Sequence, residues 1–190
     1  MKDDALPSGT RLDRCSDHTF RLSVYEAGHA LTARALGLKL LSVRLLPRPP
    51  VLISDKAFAT DKWDAFIETL ECRIIELFGG QIAEEYACES NTCCSGDIAR
   101  IDELSRLVSG LKGADDYETV MFDLEDAARE IFTNPLYRDA ITPVAEFLHR
   151  RMNEGREIVD GDDVEAEIDK YIPAAPPPNW LKKVFSLGLN

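Results

Sequence analysis

Apolar residues recur at intervals of three and four through most of this chain, the period of helices that bury one face. The stretch CSDHTFRLSVYEAGHALTARALG, residues 15–37, predicts a first helix with Ser16 or Asp17 as N-cap and Gly37 as C-cap. LLSVRLLPR, closed by Pro47, reads as a strand, and VLIS after the prolines is placed to pair with it. DKWDAFIETLECRIIELFGGQIAEEYACE predicts a long helix, in which Gly79-Gly80 marks either a break or a close helix approach.

The loop SNTCCSG leads into a further helix, DIARIDELSRLVSG. DDYETVMFDLEDAAREIF and YRDAITPVAEFLHRRMNEG predict two more, divided at Asn134-Pro135, and GDDVEAEIDKYI predicts a short acidic one. PAAPPP cannot continue a helix and reads as a semi-rigid spacer before NWLKKVFSLGLN, a short amphipathic piece. That last piece reads as a tail packed on the domain, with a docking peptide as the alternative. The expected fold class is mainly α with a small β-sheet. It divides into a loose N-terminal segment (1–16), one domain (17–172) and a Pro-rich tail (173–190).

Composition narrows the function classes. At 190 residues the chain suffices for one ordinary domain with a sizeable core. Arg34, Lys39, Arg44 and Arg48 interrupt the most apolar region, so no membrane span is expected. The net charge of −12 argues against nucleic acid and anionic membrane surfaces as partners. The polar, acidic start MKDDALPSGT resembles neither a secretory signal nor a transit peptide, which predicts a cytoplasmic protein. Five cysteines (Cys15, Cys72, Cys88, Cys93, Cys94) without C-x-x-C spacing predict reduced thiols in a reducing compartment.

The candidate chemistry lies in RLSVYEAGHALTARALGL. Residues four apart share a helix face, which is why H-E-x-x-H lets two imidazoles reach one zinc ion while the glutamate acts on its bound water. Here Tyr25 and His29 keep that spacing and Glu26 stands where the base would. Alone, the pattern is weak, since a single buried histidine is more often a hydrogen-bonded core residue.

Three further motifs follow in order: LLPR, GGQIAEE and NTCCSGDI, and REIVDGDDVEAEI comes near the end. With YEAGHA, they make the chain resemble the proteolytic domain of the FtsH-type ATP-dependent zinc metalloproteases, from about Arg21 to Tyr171. The resemblance implies that family's helical fold and a zinc metallopeptidase activity. Glu26 then matches the catalytic base, and His29 and Asp97 match the second and third metal ligands. Tyr25 stands where the family has its first histidine ligand. Cys93 and Cys94 replace the threonine loop's glycine pattern, and either could serve as an auxiliary thiolate ligand or as a small apolar loop residue.

Glu84 is a candidate for orienting His29 through its other ring nitrogen, while Glu85 reads equally as a solvated helix face. His18 lies about 16 Å along the helix from His29 and cannot share an ion with it. His149 reads as a surface or packing residue. The ATPase module and membrane anchor of the family are missing from the sequence. Two functions follow: a stand-alone zinc peptidase, or a catalytically inactive relative acting as a binding or assembly module. The expected partners are peptides or unfolded protein segments, or a separate ATPase or protease, with self-association left open.

Overall fold

The computed structural model describes residues 14–45, 51–54, 63–90, 95–114 and 116–173. Within them the chain is mainly helical, with one small antiparallel sheet. In order come α1 (His18–Ala35), β1 (Leu40–Arg44), β2 (Val51–Ser54), α2 (Trp63–Cys88), α3 (Ser95–Lys112), α4 (Tyr117–Thr133), α5 (Pro135–Asn153), β3 (Ile158–Asp160) and α6 (Gly161–Ile168).

Helix α1 is the central element. Residues all round it are buried, from Phe20 to Ala35, as expected of a helix enclosed by others rather than lying on a surface. Asp17 caps it by accepting from the Thr19 amide at 2.9 Å, and Gly37 leaves it at φ +72°, the left-handed turn that glycine makes without penalty. It packs against α2 and α5. Small residues set its distance from α2: a Cβ at Gly28 would stand 2.2 Å from the Gly79 carbonyl oxygen. Gly79-Gly80 is therefore a close approach within an unbroken helix, not a break.

Between α4 and α5 a single residue serves two helices. Asn134 closes α4 and caps α5, accepting from the Leu136 amide at 3.0 Å, while Pro135 supplies a preset φ at the first helical position.

The sheet has the order β2-β1-β3, so among the described strands β2 lies at an edge. Val43 pairs with Leu52 on one side and Val159 on the other. Strand β3 is not anticipated by the alternation rule, because three residues are too few to show a period. Helix α6 packs on β1, where Gly161 permits contact with the Leu40 carbonyl and Glu165 accepts from the Leu40 amide at 2.9 Å.

Two expectations need correction. Cys15 and Cys88 form a disulfide, which joins the residues before α1 to the last residue of α2. Spacing rules look for cysteines close in sequence and miss a pair 73 residues apart. The cysteine argument for a reducing compartment falls with it, since disulfides persist mainly in oxidising ones. Nor is the whole of 1–16 loose, because Cys15 is buried and covalently held. Among the described residues no helix is long and apolar enough to cross a membrane. The proline spacer and the amphipathic C-terminal piece lie outside the described residues.

Candidate functional site

Three elements meet at the candidate site: the middle of α1 carries Tyr25, Glu26 and His29, α2 backs them, and the first turn of α3 brings Asp97. Tyr25 and His29 lie edge to face, with ring centroids 4.7 Å apart. The slimness of α2 allows it. A Cβ on Gly80 would come within 2.7 Å of His29 Nε2 and 2.9 Å of Tyr25 Cε1, so any larger residue would displace both rings.

Asp97, 72 residues from Tyr25 in sequence, joins them in space. The Tyr25 hydroxyl donates to Asp97 Oδ2 at 2.6 Å, and His29 Nε2 lies 3.4 Å from the same oxygen. The other ring nitrogen, Nδ1, stands 2.8 Å from the main-chain carbonyl oxygen of Glu76. A carbonyl only accepts, so Nδ1 carries a proton and Nε2 is the nitrogen turned to Asp97.

Glu76 is thus the residue that orients His29. Glu84, the expected candidate, is ion-paired with Arg21 instead. The periodicity of α2 puts Glu76 and Glu84 eight residues apart, near one face, so spacing alone could not choose between them. The fully buried Glu76 carboxylate has its own partners: Arg73 at 2.9 Å and the Ser54 hydroxyl of strand β2 at 3.2 Å. No sequence motif pointed to this link between edge strand and site.

The site is nearly closed to solvent. Relative exposure is 1% for Glu26 and 5% for both Tyr25 and His29, and Asp97 is the half-buried member. Among the described residues Glu26 Oε2 has no hydrogen-bond partner. Burial pushes the Glu26 carboxyl up to about 7, against the pull of the neighbouring His29 charge. Burial also disfavours the His29 cation. The Asp97 carboxylate, the Glu26 charge and the Glu76 carbonyl outweigh it and raise the imidazole to about 9. Asp97 is held low, because hydrogen bonds from His29 and Tyr25 outweigh its desolvation. Its place in the first turn of α3 suits a negative charge as well.

The sequence expectations thus converge for Tyr25, Glu26, His29 and Asp97. His149 is a packing residue, edge-on to Phe20 and 3.2 Å from the Thr19 hydroxyl, and His18 is exposed at the start of α1. Cys93 and Cys94 lie outside the described residues. Among the described residues no three His, Cys, Asp or Glu side chains converge as a ligand set. Compared with family models and with curated proteins, the chain matches none.

Proposed function

We propose that this chain is a non-hydrolytic protein of FtsH-like peptidase-domain architecture, which binds extended polypeptide and has exchanged a metal for a proton-bridged cluster. The observation that carries this reading is the 2.6 Å bond from the Tyr25 hydroxyl to Asp97. Two ligands of one tetrahedral zinc, each about 2.0–2.1 Å from it, stand about 3.3 Å apart. The Tyr25–Asp97 separation is far shorter, the length of an O–H···O⁻ bond with the proton still in place. On this reading Tyr25 binds Asp97 instead of sharing an ion with it.

Two further features support the reading. Despite the burial of His29, the Asp97 carboxylate, the Glu26 charge and the Glu76 carbonyl favour its protonated ring, as a proton-bridged cluster requires. Glu26, which in a peptidase must reach a water, is almost wholly sealed from solvent. For the binding role, edge strand β2 lies next to the cluster, tied to it through Ser54 and Glu76. A sheet edge accepts an extended peptide through main-chain hydrogen bonds without any chemistry.

The competing reading, an active zinc peptidase, rests on the 3.4 Å between His29 Nε2 and Asp97 Oδ2, which does match a shared ion. Fluorescein-labelled unstructured peptides separate the two. Binding that is unaffected by chelator, with every peptide intact by mass spectrometry after incubation with zinc, is the expected result. Cleavage that requires zinc would establish the peptidase instead, and failure of all peptides to bind would overturn the binding role.

A further inference from the structure

Successive side chains of a strand point to opposite faces, and in β2 Ile53 is exposed while Ser54 is buried. Opposite Ser54 stands Leu40, which an extra residue in β1, Leu41, returns to the covered face. The covered position at the end of β2 is thus taken by a hydroxyl where an apolar side chain would serve. That hydroxyl donates to Glu76 Oε1 at 3.2 Å. Replacing both partners of a buried bond by apolar groups of the same shape is nearly neutral, so stability alone does not call for the pair.

The two partners of the Glu76 carboxylate act differently. Arg73, 2.9 Å from Oε2, stands one turn earlier on the same helix and moves with it. Ser54 belongs to another element, and among the described residues its hydroxyl is the hydrogen-bond donor that ties this carboxylate to anything outside α2. Strand β2 is otherwise held by β1 and α1. The main-chain carbonyl oxygen of the same Glu76 lies 2.8 Å from His29 Nδ1. One residue of α2 therefore meets the end of β2 with its side chain and the His29 ring with its backbone. Gly80, one turn on, lies against Nε2, so the ring keeps its place only while this part of α2 keeps its own.

We propose that Ser54 is a positioning residue for the cluster, acting through Glu76: where β2 lies sets where this turn of α2 lies, and with it the His29 ring. A polypeptide strand paired with β2 is then sensed at His29, a consequence that rests on the binding role proposed above. The test uses the full chain with 15N-labelled histidine rings. The probe is a fluorescein-labelled peptide of alternating threonine and valine flanked by lysines, its binding followed by anisotropy. Without peptide, the His29 Nδ1 resonance, assigned by its loss in His29→Ala, is expected to shift in Ser54→Ala. It is expected to keep its wild-type position in Ser54→Thr, which retains the hydroxyl. Bound peptide is expected to move His29 in the wild type and not in Ser54→Ala, with His18 and His149 unmoved throughout.

A folded Ser54→Ala variant with the wild-type His29 resonance would overturn the positioning role. So would a movement of all three histidines together in that variant, the mark of a general loosening. Bound peptide that leaves His29 unmoved in the wild type would overturn the sensing while the binding role stands. Peptide that does not bind overturns the sensing together with the binding role, and the Ser54 variants decide the positioning without it.

Discussion

Glu26 shows most clearly how one residue's surroundings bear on function. A carboxyl kept for catalysis needs access to water, and Glu26 is buried, with no hydrogen-bond partner for Oε2 among the described residues. Its folded-state pKa, about 7, lies above the ordinary 4.5. The folded state therefore binds the proton more tightly than the unfolded chain. The resulting stability is fully present below pH 4.5 and is lost as pH rises through 7. Glu26→Gln, which keeps the shape and cannot ionise, is expected to be close to neutral at pH 4.5. At pH 8 it should stabilise the fold by about 3 kcal/mol, from a shift of about 2.5 units at 1.36 kcal/mol per pKa unit. Urea denaturation at the two pH values measures the difference, and a loss of stability at pH 8 would show that the ionised carboxylate is a favourable partner. The sequence singled out Glu26, and the structure places it beside His29 on α1. The sequence could not show the sealing, because α2 and α5, the helices packed on α1, lie far along the chain.

At the scale of elements, the site exists because two helices approach more closely than ordinary side chains allow. Gly28 on α1 meets Gly79 on α2, and a Cβ on Gly79 would lie 2.1 Å from the Thr32 hydroxyl oxygen. Gly28→Ala must push the backbones apart, since the obstructing atom is a main-chain oxygen. The expected loss is about 3 kcal/mol or more, at the upper end for overpacking. Thermal denaturation measures it, and a change below about 1 kcal/mol, the range of tolerated core swaps, would mean that the helices are not in contact there.

This geometry was partly legible in advance: the Gly79-Gly80 pair signalled a break or an approach, and the periodicity of the flanks could not decide between them. The helix boundaries were more legible, because Asp17, Gly37 and Asn134-Pro135 act locally through caps and fixed φ. Strand β3 and the Ser54–Glu76 link were not, since pairing and buried ion pairs join positions that carry no local pattern.

Across the whole molecule, the long-range ties decide what the local motifs become. The Cys15–Cys88 bond closes a separation of 73 residues around α1, the β1–β2 pair and α2. On chain-entropy grounds a closure of that length is worth about 4 kcal/mol, comparable to a large part of a domain's net stability. It converts a sequence that read as loosely started and reduced into one anchored from its first described residues. The motif order pointed to a peptidase site, and Glu26, His29 and Asp97 do come together with Tyr25. What the order could not give is the bond that Tyr25 makes with Asp97, because a phenol four residues before a histidine can ligate, donate or swing aside.

That bond is the central claim, and metal content tests it most directly. The full chain, purified and equilibrated with zinc and then freed of unbound metal, is analysed by mass spectrometry beside Tyr25→His and His29→Ala. The account predicts no retained zinc in the wild type or in His29→Ala, and close to one ion per chain in Tyr25→His. Near-stoichiometric zinc in the wild type, lost in His29→Ala, would contradict it and make Tyr25 a metal ligand.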